Sequence, residues 1–505
     1  MKKIIAAFAS IFLLVGCSKF DAINTNPNTP TSVSASMLCT NIILSVTKYN
    51  GGDAKSYISE NALPKYVGYA NEGQLATQYN IIYNGSFGPM TILPDIDKML
   101  GFAVGDPAEN GYKGVAHFAR AYTFYLLTMR MGDIPFSAAN QGEIGNFKPV
   151  YDAQKDVFIG ILNELEQASA FFAQSPAFEG DPTIFKGDPK KWQRATHAFT
   201  LKVLMTLSAK SNDADLRIQQ RFAQLVSDNV LLESANDFLG LEYNTVNLHP
   251  LYSTNDMFTG RTILSSLVVD HLKQLNDKRL FYFAEPANAQ IQAGRLPGDS
   301  EAYVGVNAAI DYAAMNTEFS KGSYSKINLR YQTKQNSEPR RLLTYAEQEL
   351  ILAEARVRGW ITSGSAEAYY KNGVKAALIS MMATDAAYAH GHAITTADIE
   401  GYFEGTAAFK NQSSEQLKQI WLQRYLLNFL IDGETAYFEY RRNGYPEFPI
   451  DPSTNLNVNS PGSLPLRYLY PSSELNYNSA NLRNALDRQF DGYDEINKVM
   501  WLLKD

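Results

Sequence analysis

Cysteine is almost absent, with two residues in a chain of 505, Cys17 and Cys39. An acylated Cys17 would leave Cys39 without a partner, which excludes a disulfide framework and leaves the hydrophobic core to hold the fold. Cys39 lies within Met37-Leu38-Cys39-Thr40-Asn41-Ile42-Ile43-Leu44, where the apolar spacing is helical. It reads as a small buried hydrophobe, not a reactive thiol. Clustered basic residues are missing too: the 45 Lys and Arg are outnumbered by 52 Asp and Glu. Phosphate backbones need concentrated positive charge, so nucleic acid is excluded as a partner. Beyond the first 16 residues, no segment has the roughly 20 apolar residues that cross a bilayer. Tryptophan is scarce, and Trp192, Trp360, Trp421 and Trp501 all fall in or beside predicted helices, so no loop offers an indole platform.

Catalytic signatures are also missing. Gly85-Ser86-Phe87-Gly88 lacks the first glycine of a nucleophile elbow at the required spacing, and no P-loop, dinucleotide fingerprint or H-E-x-x-H occurs. Each absence removes one family of mechanisms without excluding enzymes as a class. His390-Gly391-His392 could share a metal, but no further ligands are marked nearby, so it reads as an exposed loop and no metal or cofactor is expected. His117 and His197 sit among apolar residues of helices and read as satisfied core histidines. Glycoside hydrolysis needs two carboxylates across a cleft, and Asp95 with Asp97, Glu347 with Glu349, and Asp491 with Asp494 are candidates. All three pairs read as solvated helix or loop faces.

The N-terminus reads as an address. Lys2 and Lys3 form a positive region, Ile4 to Val15 a short apolar one, and Gly16 precedes Cys17, in the order of a lipoprotein signal peptide. Cleavage before Cys17 would lipidate that cysteine and take the formal charge from -7 to -9. Residues 18–33 are rich in Asn, Pro and Thr, a composition suited to a tether. The expected organisation is a signal peptide over 1–16, a lipidated tether over 17–33 and one helical domain over 34–505, with a loop-rich insertion at about 229–340.

Helical periodicity then dominates. Spans are expected at Ser34 to Tyr49, Tyr57 to Tyr69, Met90 to Met99, Gly114 to Met131, Val150 to Phe172 and Pro189 to about Lys210. Further spans are Ile263 to Leu275, Tyr345 to Arg358, Ala366 to Met381, Ser414 to Leu430 and Glu434 to Arg442. In the clearest of them, Val115, Phe118, Ala119, Tyr122, Leu126 and Met129 share one face, and Gly132-Asp133-Ile134-Pro135 ends it. Small residues among large aromatics suit closely paired helices, and the pairs suggest a tetratricopeptide-like array of irregular period. The insertion and residues 443–478 are rich in Asn, Pro, Tyr or Gly, and loops of that length are usually functional.

Aromatics are the resource a ligand could use, because sugar rings stack on flat aromatic faces. Tyr66, Tyr69, Tyr79, Tyr83 and Phe87 crowd one interhelical segment, while Tyr303, Tyr312, Tyr324 and Tyr331 populate the insertion. Of these, Tyr66, Tyr69, Tyr79, Tyr83, Phe87, Tyr324 and Tyr331 are the candidate ligand platforms.

Several motifs resemble the SusD/RagB family of outer-membrane lipoproteins. They are the Cys17 signal, Asn24-Thr25-Asn26-Pro27-Asn28, the helix His117 to Leu127 ending in Gly132-Asp133-Ile134-Pro135, and Trp192 to Met205. Tyr345-Ala346-Glu347 through Ala353-Glu354-Ala355, Glu439-Tyr440-Arg441-Arg442-Asn443-Gly444, and Tyr470-Pro471 with Glu474 complete the set. The resemblance implies an all-α, tetratricopeptide-like fold that caps a SusC-like TonB-dependent transporter at the outer membrane and delivers oligosaccharides or oligopeptides to it. It also implies a non-catalytic role, with a glycan hydrolase as the less favoured reading. The matching motifs are scaffold elements and carry no ligand residues onto this chain. One departure concerns display on the outer surface, since Ser18-Lys19-Phe20-Asp21 holds a single acid where an acidic run often follows the cysteine.

Overall fold

The computed structural model describes residues 33–49, 51–70, 75–252 and 259–504. The expected signal peptide, Cys17 and all of the tether except Val33 lie outside the described residues. Among the described residues, fourteen helices have nine residues or more. The first seven are α1 Ala35–Thr47, α2 Ala54–Ala62, α3 Leu93–Phe102, α4 Glu109–Met131, α5 Gln154–Ala173, α6 Pro189–Thr206 and α7 Ile218–Asp228. The rest are α8 Ser266–Gln274, α9 Tyr312–Ser320, α10 Tyr345–Val357, α11 Ala366–Met382, α12 Ser413–Leu427, α13 Gly433–Asn443 and α14 Ser479–Phe490. None of the described helices is long and apolar enough to cross a membrane.

Local chemistry sets the helix ends. Asp188 caps α6 by accepting from the Lys190 amide at 2.9 Å, with Pro189 in the first turn, and Thr344 caps α10 through the Glu347 amide at 3.0 Å. Gly132 ends α4 at φ +95, a conformation that side-chain-bearing residues rarely adopt. The expected helix from Tyr57 to Tyr69 is corrected: α2 starts at Ala54, stops at Ala62 before Pro64, and Lys65 takes φ +61. Val67–Tyr69 is instead a strand, β1. Proline disfavours helix in the residue before it, and the left-handed Lys65 turns the chain out of the helical path.

Helices that follow one another in the chain pack together, α4 with α5, α5 with α6, and α10 with α11. The α4–α5 pair closes tightly at Gly114, where an added Cβ would stand 2.6 Å from the Phe172 ring. Trp192 of α6 fills the adjoining core, with Phe118, Phe172, Phe178 and Phe185 centred 5.4 to 6.4 Å away. Truncating such a residue to alanine costs about 3–5 kcal/mol. Helix α4 is buried around nearly its whole circumference, from Tyr112 through Met131, so it is the central rod and not an amphipathic surface helix.

Two short antiparallel ribbons tie residues distant in sequence together. β1 pairs with β3, Thr262–Leu264, and β2, Phe238–Leu241, pairs with β4, Arg340–Thr344, across a bulge at Leu239/Gly240. The fold class is all-α, as expected, with these ribbons as its minor addition.

The scattered sequence motifs converge on one buried ion cluster. Arg442 of α13 binds Glu354 of α10 through two bonds of 2.6 and 2.8 Å and Glu439 at 2.7 Å. Arg424 of α12 reaches Glu439 at 2.6 Å and Glu347 at 3.3 Å, while Lys202 of α6 meets Glu347 at 3.3 Å. Four helices are keyed together by charges that each have a partner.

Candidate functional site

The candidate aromatics divide sharply. Tyr66 is fully buried, stacks on Tyr425 at 4.5 Å between ring centroids and donates to its carbonyl at 2.5 Å. Tyr79 donates to the Ile310 carbonyl at 2.9 Å, Tyr331 to Glu338 at 3.0 Å, and Tyr69 is buried in β1. These four are corrected from ligand platforms to packing anchors, because both ring faces are covered by the protein. Phe87 is half-buried with its ring edge-on to Tyr151, and Tyr324 is half-buried against a small cluster containing Val306 and Met315. Tyr83 alone of the seven is freely accessible, at 64% exposure.

The segment around Tyr83 nevertheless borders a cleft. A cavity of about 580 Å³ has an exposed rim at Lys48, Gly51, Gly88 and Thr91 and a floor of Tyr122, Arg130, Arg340, Asp432 and Glu434. A second hollow of about 270 Å³, bordered by Asn84, Gly85, Ser86 and Tyr468, shares Glu60, Arg130 and Glu434 with it. The combined volume falls in the range of small-ligand sites. Distant parts of the chain supply the floor: α2 brings Glu60, α4 brings Tyr122 and Arg130, β4 brings Arg340, and the first turn of α13 brings Glu434 behind its cap Asp432.

Gly433 explains how acids come so close together. A Cβ there would stand 2.7 Å from the Glu60 carbonyl, so only glycine lets the start of α13 abut α2. The helix N-terminus then stabilises Asp432 and Glu434 nearby. Asp432 accepts from the Thr435 amide at 2.9 Å and from its hydroxyl at 2.8 Å, and Glu434 holds Arg130 through two bonds of 2.6 and 2.7 Å. Burial, then the charge of Glu434, pushes the Glu60 carboxyl up to about 7, against the opposing pull of Arg340. Burial would raise the Asp432 carboxyl, but Lys202, Arg340 and the Thr435 bonds hold it below its ordinary value.

Arg340 is half-buried at the cleft floor. Its Nε and Nη1 have no hydrogen-bond partner, and its guanidinium lies 5.7 Å from the Tyr49 ring centroid. Burial would lower its pKa, and the fields of Asp432 and Glu60 more than restore it, so it stays charged. The cleft thus offers a donor at Arg340, a group of either role at Glu60, and aromatic walls at Tyr49 and Tyr122, a set that suits a polyhydroxyl ligand.

Sequence reasoning missed Glu60, Arg130, Arg340 and Glu434. Their only signal was charge inside otherwise apolar helical or extended patterns. Of the three carboxylate pairs, Glu347 with Glu349 departs from the solvated face expected, while Asp95 with Asp97 and Asp491 with Asp494 stay at the surface. Glu347 and Glu349 are both buried, the first because Lys202 and Arg424 pair with it. Asp95 accepts from Asn41, Asp97 from Asn140, Asp491 pairs with Lys498, and Asp494 with Arg467. His197 is buried and bonded to Ser169 at 2.6 Å, whereas His117 is half-exposed and bonded to Glu164 at 2.5 Å, so it is satisfied without being core. His390 lies 3.3 Å from Glu285, and no cluster of three metal-ligating side chains exists among the described residues. Cys39 is buried, which pushes its thiol pKa far up.

With this architecture in view, the relatives fall into place. Residues 27–471 match the SusD-like family model described as starch-binding and associating with the outer membrane, and the chain belongs to that family of nutrient-binding proteins. A solved SusD homologue of Bacteroides fragilis is 39% identical, with a TM-score of 0.89 over 94% of this chain and 100% of its own. Another from the same species is 31% identical, with a TM-score of 0.81 and the same coverage. A chitin-binding protein shares the fold at 21% identity, with a TM-score of 0.74 over 94% of this chain and 100% of its own. No curated protein matches the chain.

Proposed function

We propose that the protein is a non-catalytic, cell-surface lipoprotein that captures oligosaccharides in the cleft and delivers them to a SusC-like TonB-dependent transporter in the outer membrane. The observation that carries the reading is the wide cavity itself, whose lining sets the half-buried, charged Arg340, which has no ion-pair partner among the described residues, beside Tyr49 and Glu60. Family membership supports an outer-membrane, glycan-directed role, and the chitin-binding relative shows that this fold carries glycan binders. Lipidation at Cys17 and the tether that follows would hold the domain at the membrane.

An oligopeptide is the second ligand class, because the cleft carries both signs of charge and can meet both charged ends of a peptide. Hydrolysis is less favoured. Glu60 has the raised carboxyl of a general acid, but the acids beside it are engaged, Asp432 by Thr435 and Glu434 by Arg130.

The deciding experiment is calorimetry of the soluble form starting at Ser18 against oligosaccharide and peptide panels, with a product assay on the same samples. Saturable glycan binding without product, weakened at least tenfold by Arg340→Gln, is expected. Binding of peptides alone transfers the reading to the second class, and product formation overturns the non-catalytic role.

A further inference from the structure

A second feature stands apart from the cleft, on another side of α10. Glu347 and Glu354 are buried, Glu439 is largely so, and all three meet Lys or Arg. Glu349 is just as buried, at 5% exposure, yet its hydrogen-bond partners are amides, from Asn372 at 3.0 Å and from Gln348. Among the described residues no cation pairs with it, and burial alone raises its carboxyl pKa. Leaving an anion so placed without a counter-charge is costly unless something else supplies one.

Glu349 borders a groove of about 450 Å³ between the end of α7 and the α10–α11 pair. Tyr345, one turn before it on α10, and Tyr369 of α11 are half-buried in the walls, with Asn229 and Asn372 exposed at the rim. Gly364 fixes Tyr369, since a Cβ there would stand 2.6 Å from the ring. At the mouth, Glu233 is exposed and tied to Arg194, so that cation is already engaged. A buried carboxylate between two tyrosines is suited to a positive group, which gains the ion pair and cation–π attraction together.

We propose that this groove is a second binding site, independent of the cleft, that takes a protonated primary amine. Two sources present that chemistry, a lysine side chain of a short peptide and the free amine of a glucosamine oligomer. The neutral polyol suited to the cleft would not be selected here, because the groove lacks an available cation to balance its acid.

The test is calorimetry of the soluble protein with tri-lysine and with a chitosan trimer, each beside its N-acetylated counterpart. The amine-bearing probe binds, its acetylated partner binds at least tenfold more weakly, and Glu349→Gln or Tyr369→Leu reduces the affinity at least tenfold with an unchanged melting temperature. A response confined to tri-lysine assigns the peptide source, and one confined to chitosan assigns the amino sugar. Equal binding of acetylated and free probes, undiminished binding in Glu349→Gln, or no binding of either amine overturns the proposal.

Discussion

Glu354 and Glu60 are both glutamates drawn away from bulk water, and their environments push them in opposite directions. At Glu354, burial would raise the carboxyl, but Arg442, Arg358 and Arg424 hold it down to about 2. At Glu60, burial and the charge of Glu434 raise it to about 7. The first belongs to a cluster in which every charge has a partner, and the second borders a cavity whose nearest guanidinium, Arg340, is unsatisfied. Directly paired charges lock helices in register, while Arg340 at the cleft floor has no ion-pair partner among the described residues. The two clusters touch through Lys202, which bonds Thr435 at 3.2 Å and so lies between the scaffold and the cleft floor.

Removing Arg442 would break this contrast most severely. Arg442→Ala removes the two bonds to the fully buried Glu354 and one to Glu439, leaving Arg358 on the first and Arg424 on the second, and should cost about 3 kcal/mol, the low end for breaking a buried pair. Urea unfolding should record that loss, whereas a change under about 1 kcal/mol would show that the cluster is not a structural lock.

The pH response comes next. The raised Glu60 carboxyl contributes stability that is complete below about 4.5 and is lost as pH rises through about 7. The depressed Glu354 carboxyl contributes stability present above about 4.5 and lost as pH falls through about 2. At 1.36 kcal/mol per unit, each swing is at most about 3 kcal/mol. Glu60→Gln should flatten the decline between pH 4.5 and 7 and leave the acid limb intact. A Glu60→Gln profile that overlays the parent would remove Glu60 as the titrating group.

Arg340→Gln sharpens the same comparison from the ligand side. Because Nε and Nη1 of Arg340 have no hydrogen-bond partner, stability should change by less than about 1 kcal/mol while ligand affinity falls about tenfold, or 1.4 kcal/mol. Loss of stability without loss of affinity would turn Arg340 into another scaffold charge.

The scaffold was legible because its signals are local. Asp188 with Pro189, the Gly132 stop and the Ala-and-aromatic texture of α4 each specify structure within a few residues. Helix α7 escaped notice because its buried side chains, Ile218 and Phe222, make too narrow an apolar stripe in a polar run. The cleft was not legible, since Glu60, Arg130, Arg340 and Glu434 lie 70 to 374 residues apart and meet only after Gly433 brings α13 onto α2. Tyrosine clustering located the bordering segment but not the working side chains, because a tyrosine with a carbonyl within reach of its hydroxyl becomes a core anchor, as Tyr66 and Tyr79 do.

Tyr83 gives the smallest and most discriminating effect. It is exposed beside Asn84 and Gly85 of the smaller hollow and makes no burial-dependent contribution to the core. Tyr83→Ala should leave the melting temperature unchanged and weaken capture only a few-fold, consistent with one partial stacking contact of about 1 kcal/mol. Tyr324→Ala, by contrast, removes a half-buried ring from the Val306 and Met315 cluster and should lower stability without touching cleft affinity. If Tyr324→Ala weakens binding and Tyr83→Ala does not, the ligand path runs over the insertion, and the cleft beside α2 and α13 is not the place of capture.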